Sequence, residues 1–288
     1  MILITDSGSS KCTWCFAQGA ERQIRITTTG INPSTQEREV ILQIIRQELF
    51  PALQEQKNIF SGLQPEKIFF YGAGCTKARK NFMAEILKEC FGTKTIEVHS
   101  DMLGAARGMF QRNTGIACIL GTGANSCLYN GENIIAQTPA MGYILGDEGS
   151  GAYLGKMLVR ALFKGKMPAH LLQAFQKEYQ LDLPTVIERT YRTPMANRFL
   201  ASLTPFLHQH RTEKEIHELL CNAFDDFIFF NLEPYRTESN KVSFIGSIAF
   251  YFQEELSNCL ENRGFQMESV IRDPMDGLLA YYLSKQEC

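Results

Sequence analysis

The pattern of apolar and polar positions predicts three short strands and then a helix at the start of the chain. Residues 1–5 are almost continuously apolar, and residues 11–17 and 22–28 are rich in Thr, Ile, Trp and Phe, which favours strands. Asn32-Pro33-Ser34 breaks this pattern. From Thr35 to about Gln56 apolar residues recur at helical spacing. These positions are Val40, Ile41, Ile44, Ile45 and Leu49.

Strands and helices then alternate, which indicates an α/β fold. The predicted elements are a strand over Lys67–Tyr71, an amphipathic helix over Lys77–Phe91 closed by Gly92, a strand over Thr95–His99 ending at Ser100-Asp101, and a short helix over Leu103–Phe110.

The opening arrangement of strand, small-residue turn, strand, turn and strand then recurs more than a hundred residues later. Its second copy comprises Gly115–Leu120, the turn Gly121-Thr122-Gly123-Ala124-Asn125, Ser126–Tyr129, the hairpin turn Asn130-Gly131 and Asn133–Thr138. Either two β-meanders coincide by chance, or an α/β domain has been duplicated. Beyond this copy we expect helices from Glu148 to about Asn231, a strand at Lys241–Ile245 and a last helix after Pro274.

Composition narrows the function without identifying it. The chain has 288 residues, of which 44% are hydrophobic and 21% charged, and its formal net charge is −2. This balance gives no broad positive field for nucleic acid or anionic lipid. No apolar run approaches the roughly 18 residues of a membrane span, and no signal peptide is recognised, so we expect a cytoplasmic protein.

The nine cysteines are irregularly spaced, and only Cys12 and Cys15 form a C-x-x-C pair. Residues three apart on a strand point to opposite faces of the sheet. No second pair or nearby histidine pair completes a zinc site. We therefore expect packed, reduced thiols.

The two small-residue turns are candidate phosphate-binding loops. A turn of Gly and Ser exposes backbone N–H groups that can bind phosphate oxygens, and the hydroxyls of Ser7, Ser9 and Ser10 and the charge of Lys11 add to it. Asp6 would hold Mg²⁺, which prefers carboxylate and water and accompanies ATP. Each turn taken alone is also compatible with an ordinary hairpin.

Several of these segments resemble one known family. Asp6-Ser-Gly-Ser-Ser-Lys11 and Leu120-Gly-Thr-Gly-Ala-Asn125 resemble the two phosphate loops of the sugar kinase, Hsp70 and actin superfamily. Gly142-Tyr-Ile-Leu-Gly-Asp-Glu-Gly-Ser150 is similar to the signature of the N-acetylglucosamine kinase group, which belongs with the BadF/BadG-type ATPases. Ser100-Asp101 followed by Ala105-Ala106 resembles the catalytic segment of that group.

The resemblance implies an α/β fold of two ribonuclease-H-like (actin-like ATPase) domains with a central cleft. We expect an N-terminal domain over residues 1–112, with a C-terminal helix over 275–288 packed on it, and a second domain over 113–274. Asp101 is implied as the general base. It could equally be an N-cap of the following helix, or both.

The resemblance also implies the ligand contacts. The implied sugar-binding residues are Asn32, Gly142, Tyr143 and Asp147. Tyr143 stands where a tryptophan is expected, and Asn32 could be only a turn residue before proline. Asp147-Glu148 is expected to open a helix over Ala152–Phe163, where its only role could be to complement the helix dipole. The implied ATP-binding residues are Ser7, Gly8, Ser9, Ser10, Lys11, Gly121, Thr122, Gly123, Gly246, Ser247 and Gly277, with Asp6 at the metal.

The activity that follows is an ATP- and Mg²⁺-dependent kinase acting on an amino sugar, with N-acetylglucosamine and its 6-hydroxyl as the expected acceptor. The expected partners are the sugar and ATP, with no nucleic acid and no membrane, and a homodimer is allowed. One rival is an ATPase that activates an electron-transfer partner, whose relatives bridge a [4Fe–4S] cluster with cysteines. For that role Cys118 and Cys127 are the candidates, although they are expected to pack within the sheet. A second rival is a sugar-sensing regulator without activity.

Overall fold

The computed structural model describes residues 1–8, 10–19, 21–56 and 64–283, and these form an α/β fold with two five-stranded sheets. The strands of the first sheet are β1 (Ile2–Ser7), β2 (Lys11–Ala17), β3 (Gln23–Thr29), β4 (Lys67–Gly72) and β5 (Thr95–Ser100). Those of the second are β6 (Gly115–Leu120), β7 (Ala124–Tyr129), β8 (Ile134–Gln137), β9 (Lys241–Ile245) and β10 (Gln266–Ile271).

Both sheets have the same strand order. The first runs β3-β2-β1-β4-β5, and the second, in the same sense, runs β8-β7-β6-β9-β10. In the first sheet β1 is parallel to β4 and β4 to β5, and in the second β6 is parallel to β9 and β9 to β10. This correspondence agrees with the duplicated α/β domain inferred from the repeated meander.

Strand β10 is absent from the sequence-based prediction, which placed no strand between Ile245 and Pro274. Its sequence QMESVI has no fully buried residue, because the strand lies at the edge of its sheet. A strand of this kind carries too weak an apolar pattern to be recognised alone.

Helices make up much of the described part of the chain. They are α1 (Arg38–Ile44), α2 (Phe50–Glu55), α3 (Lys80–Phe91), α4 (Asp101–Phe110), α5 (Gly142–Leu145), α6 (Gly151–Phe163), α7 (Ala169–Tyr179), α8 (Leu183–Tyr191), α9 (Ala196–Ala201), α10 (Thr204–Gln209), α11 (Lys214–Phe227), α12 (Ser247–Tyr251), α13 (Gln253–Asn262) and α14 (Met275–Leu283), with π-helical turns at Ile45–Leu49 and Ile228–Leu232 and a 3₁₀ turn at Glu233–Tyr235. None of them is long and apolar enough to cross a membrane.

The helix predicted from Thr35 to Gln56 starts at Arg38 and contains a π-helical turn before Pro51. Proline has no N–H and its ring clashes with the carbonyl four residues earlier, so a wider turn at this point accommodates it. Val40 is 43% exposed, in contrast to the four other predicted apolar positions, which are buried.

The first sheet is covered on both faces. Leu3, Trp14 and Phe70 lie on one face in a core that includes residues of α1 and α3. Ile4 and Tyr71 lie on the other face with Leu278 of α14. Because both faces of β1 are covered, its sequence ILIT is buried throughout, as is usual for a central strand.

By its contacts the chain divides into two compact units. The first unit comprises 1–114, 129–135 and 273–288, and the second comprises 115–128 and 136–272. Helix α14 belongs to the first unit, where it packs against α4 and β1. Residues 284–288 of the predicted C-terminal helix lie outside the described residues. The domain limits inferred from the sequence, 1–112 and 113–274, stay a prediction.

Candidate active site

In the first unit the polar candidates follow parallel strands where those strands end. Ser7, Gly72 and Ser100 are in register on β1, β4 and β5. Asp6 precedes this row by one residue, and Asp101 follows it by one. In α/β sheets, ligands bind at the carboxyl ends of parallel strands, so this edge is where a site is expected.

Asp6 is a half-buried carboxylate that makes no hydrogen bond or ion pair with the described residues. Its pKa is raised from 3.8 to about 7, first by burial and then by the charges of Asp101 and Asp273, while the charge of Lys11 opposes this shift. No three His, Cys, Asp or Glu side chains of the described residues are grouped to hold a metal. A half-buried carboxylate without a partner fits Mg²⁺ of the kind that keeps several waters and is bound by one or two carboxylates and the substrate phosphates.

The first loop differs from the prediction at Ser7. Its hydroxyl is buried, donates to the carbonyl of Ile31 at 2.9 Å and accepts from the Ile31 N–H at 2.8 Å. The hydroxyl is thus used within the fold, and it holds the segment after β3 against the end of β1. This corrects the expectation that the Ser7 side chain is a free phosphate donor.

The other residues of this loop remain candidates. Gly8 donates its N–H to the Lys11 carbonyl at 3.0 Å, which closes the hairpin, and Ser10 and Lys11 are exposed. Ser9 lies outside the described residues. A Cβ on Gly8 would meet only the Lys11 carbonyl, at 3.9 Å. Packing within the protein therefore does not require glycine at this position.

Asp101 is the first residue of α4 and is half-buried. Its Oδ1 accepts from the Met102 N–H at 2.9 Å, whereas the N-cap is Ser100, whose Oγ accepts from the Leu103 N–H at 3.3 Å. The sequence could not separate these roles, and in the structure the cap belongs to Ser100. Burial raises the pKa of Asp101, and the Met102 N–H lowers it less. A carboxyl group with a raised pKa is a stronger base once ionised.

Asn32 stabilises a turn through its Oδ1 and has an amide nitrogen, Nδ2, that can donate to a ligand. Its Oδ1 accepts from the Ser34 N–H at 3.0 Å, as in an Asx turn. A Cβ on Gly74 would lie 1.9 Å from this Oδ1, so the Asn32 amide rests on the loop after β4. The Nδ2 group makes no hydrogen bond with the described residues and is free to donate to a ligand.

In the second unit the loop of residues 121–123 is fixed to the start of α6. The N–H groups of Gly151 and Ala152 donate to the carbonyls of Gly121 and Thr122 at 2.8 and 3.0 Å. These carbonyls thereby face the helix. The Gly123 N–H has no hydrogen-bond partner among the described residues, which leaves it as a candidate phosphate donor.

Asp147 lies in a turn outside helix α6, which starts at Gly151 with Ser150 as its N-cap. This corrects the expectation that Asp147-Glu148 opens the helix. Asp147 has φ 59°, a left-handed conformation that is uncommon for a residue with a side chain. Its Oδ1 accepts from the Ala124 N–H at 3.2 Å, and burial raises its pKa. Asp147 is therefore in contact with the second loop.

The segment before Asp147 is mostly exposed. Gly142 is exposed with φ 73°, and Tyr143 is half-buried against the core of the unit. Lys156 of α6 donates to the Tyr143 carbonyl at 3.2 Å, and burial lowers the pKa of Lys156. The roles of Gly142 and Tyr143 in sugar binding stay predictions.

For two glycines predicted to face adenosine, the structure supplies packing reasons. A Cβ on Gly246 would lie 2.3 Å from the Leu120 carbonyl, and Gly246 has φ 120°. A Cβ on Gly277 would lie 1.9 Å from the Gly108 carbonyl, where α14 crosses α4. The sequence pattern is thus explained without a nucleotide. Contact of Gly246, Ser247 or Gly277 with adenosine stays a prediction.

Asp273 was missed by the sequence analysis. It lies two residues beyond the end of β10, near the start of α14, and its charge acts on Asp6. Its Oδ1 accepts from the Met275 N–H at 3.2 Å. The duplicated fold could have indicated this residue. A second copy of the fold requires a fifth strand before the last helix, and Asp273 lies between that strand and that helix.

Four cysteines of the described residues agree with the expectation of packed thiols. Cys12 and Cys15 are both buried, in different cores on opposite faces of the first sheet. Cys118 and Cys127 are fully buried, and burial raises the pKa of both thiols. Neither presents a thiolate at the surface, as a cysteine that bridges two subunits through a cluster would need to do.

The chain is similar to several solved structures. A proposed N-acetylglucosamine kinase from Porphyromonas gingivalis is 43% identical, with 99% of this chain and all of that one covered and a TM-score of 0.93. A proposed N-acetylglucosamine kinase from Chromobacterium violaceum is 18% identical over 97% and 98% of the two chains, with a TM-score of 0.73. A ROK hexokinase from Thermus thermophilus is 13% identical over 99% of each chain, with a TM-score of 0.60.

No model of a known protein family matches the sequence, and no curated protein matches it. The two more distant structures show only a common fold. The similarity to the Porphyromonas protein extends over almost the whole of both chains at an identity that indicates common descent. The chain therefore belongs to the N-acetylglucosamine kinase and BadF/BadG-type ATPase family of the sugar kinase, Hsp70 and actin superfamily.

Proposed function

We propose that the protein is an ATP-dependent kinase that phosphorylates N-acetylglucosamine at its 6-hydroxyl, with Asp101 as the general base. Family membership supports a sugar kinase that uses ATP. The observation that carries the proposal is the half-buried Asp101 carboxylate beyond the end of β5, whose charge acts on the partnerless carboxylate of Asp6.

Asp101 accepts the proton of the acceptor hydroxyl as the phosphoryl group arrives. Its bond from the Met102 N–H orients Oδ1 and leaves Oδ2 to face the sugar. The raised pKa makes the carboxylate, once ionised, a better proton acceptor than an exposed aspartate.

Asp6 would hold Mg²⁺, which when bound neutralises charge on the transferring phosphates. Lys11 is exposed at the start of β2 and contributes positive charge for the phosphates. On the second unit, the loop of residues 121–123 offers the Gly123 N–H to phosphate oxygens.

Asn32 and Asp147 are proposed to bind sugar hydroxyls, with Gly142 and Tyr143 alongside Asp147. Asn32 would donate through its free Nδ2. A carboxylate such as Asp147 can accept from two neighbouring hydroxyls, and such charge-assisted bonds select a stereochemistry.

A coupled assay of ADP release against a panel of amino sugars tests the proposal. We expect turnover that requires sugar, with N-acetylglucosamine the preferred acceptor and the 6-phosphate as the product identified by NMR. ATP hydrolysis that is equally fast with and without every sugar would contradict a sugar kinase. A different preferred sugar would overturn only the choice of acceptor.

Replacing Gly121 with alanine should weaken nucleotide binding without loss of stability. A Cβ at Gly121 would meet nothing within 4 Å, and its φ is outside the left-handed region, so the fold does not need glycine. A methyl group facing a bound phosphate should cost about 1.4 kcal/mol, or roughly tenfold in affinity. Calorimetric titration with a non-hydrolysable ATP analogue measures this.

The matched control is Gly155→Ala on α6. Its Cβ would lie 2.0 Å from the Leu200 carbonyl, so we expect a loss of about 1–3 kcal/mol of stability. If Gly121→Ala bound nucleotide as tightly as the unchanged protein, phosphates would not approach this loop closely.

A further inference from the structure

Asp147 contacts the second loop directly. Its Oδ1 accepts from the Ala124 N–H at 3.2 Å, and a Cβ on Gly123 would lie 3.1 Å from Oδ2. The carboxylate therefore lies on the backbone of the turn that is proposed to bind phosphate. A negative charge at this position opposes the approach of a phosphate oxygen.

The backbone of Asp147 is fixed by a hydrogen bond to the N-cap residue of α6. Its carbonyl accepts from the Ser150 N–H at 3.0 Å, and Ser150 caps α6, whose first N–H groups bind the carbonyls of the loop. A left-handed aspartate persists only where its surroundings impose that conformation, and such residues cluster at functional sites. The neighbouring charges are Glu148, which raises the pKa of Asp147, and Lys156, which lowers it.

We infer that Asp147 is a positioning residue of the second phosphate loop, and that its carboxylate keeps phosphate from this loop until sugar hydroxyls replace the Ala124 N–H as its partners. The inference rests on the proposed function, because it takes Asp147 as a sugar ligand. It adds that one carboxylate links sugar binding to nucleotide binding within the second unit.

The link has a measurable consequence. Sugar that recruits the carboxylate releases the Ala124 N–H and screens the charge, so nucleotide binds more tightly when sugar is present. By thermodynamic linkage, nucleotide must tighten sugar binding by the same factor. An aspartate that only shaped the turn would produce no such coupling.

The experiment measures the affinity of a non-hydrolysable ATP analogue with Mg²⁺ by calorimetry, with and without saturating N-acetylglucosamine. The variants are Asp147→Asn, which can keep the bond from Ala124 while losing the charge, and Asp147→Ala, which loses both. Both should bind the analogue at least about fivefold more tightly than the unchanged protein when sugar is absent. In both, sugar should no longer improve nucleotide affinity.

Two further variants control for backbone strain at position 147 and for the loss of an acidic side chain elsewhere. Asp147→Gly suits φ 59°, so it should fold and behave as Asp147→Ala does. Asp226→Asn removes a nearby acid that accepts from the Tyr153 hydroxyl at 2.7 Å and does not contact the loop, so the coupling should persist. Thermal unfolding midpoints establish that each variant is folded.

Unchanged or weaker nucleotide affinity in folded Asp147→Asn and Asp147→Ala would overturn the inference. If the unchanged protein still showed sugar-dependent turnover, the proposed function would stand without it. Absence of that turnover would instead remove the proposed function. The sugar-free nucleotide titrations would still report whether the charge of Asp147 opposes phosphate.

Discussion

Replacing Asp101 with asparagine should lower kcat by about 10²–10⁴-fold, the usual contribution of a general base. Asparagine keeps an oxygen to accept from the Met102 N–H, so the start of α4 should be unchanged. Because the change removes a group that acts on the proton in the transition state, the KM for ATP and for sugar should change little. Steady-state kinetics with each substrate varied in turn measure this.

Asp225→Asn is the matched control for Asp101→Asn. Asp225 pairs with Arg263 at 3.2 Å on the surface of α11, and such exposed pairs contribute about 1 kcal/mol or less. Its kcat should equal that of the unchanged protein. A kcat for Asp101→Asn within threefold of the control, with the product still formed, would show that another group takes the proton.

Replacing Asp6 with asparagine should change stability and activity in opposite directions. The pKa of Asp6 is about 7 in the folded protein and 3.8 ordinarily, so the folded state binds its proton more tightly than the unfolded state does. The stability contributed by this group is therefore full below pH 4 and is lost as pH rises to about 7. In the absence of Mg²⁺, Asp6→Asn should be more stable than the unchanged protein at pH 8, by about 2–4 kcal/mol, and equally stable near pH 4.

Activity should fall in the same variant because the metal loses its carboxylate. A loss of about 10–100-fold in kcat/KM for ATP is expected, with higher Mg²⁺ concentrations needed for half-maximal rate. Denaturant unfolding at several pH values in chelator measures the first effect, and Mg²⁺ titration of the rate measures the second. A pH-independent difference in stability would show that Asp6 is ionised in both states, and an unchanged Mg²⁺ requirement would place the metal elsewhere.

Much of the fold could be predicted because the central strands and long helices carry strong local patterns. Strand β9 was predicted with its observed limits, since its buried residues follow one another along the chain. Strand β10 was not predicted, because it is stabilised by pairing with β9 and its own sequence has no strong apolar pattern. The repeated strand order could have supplied it, as a constraint on the whole fold.

The candidate site was predictable in its outline and not in its contacts. The motif order led to Asp6, Asp101 and Asp147, but the partner of the Ser7 hydroxyl lies 24 residues away at Ile31. The glycines at 246 and 277 share this difficulty, because their contacts come from Leu120 and Gly108 on other elements. Short motifs identify residue types at a site, whereas distant packing decides which of their atoms are available.

The placement of α14 bears on how the protein folds during synthesis. One face of the first sheet is completed by Leu278 and by Tyr282, whose hydroxyl lies 2.5 Å from that of Tyr71. Arg107, largely buried, donates to the same Tyr71 hydroxyl at 2.9 Å. Residues near the N-terminus therefore leave the ribosome long before the segment that covers them. The first unit cannot complete its core until residues 275–283 have been translated, and until then this apolar face is open to chaperones.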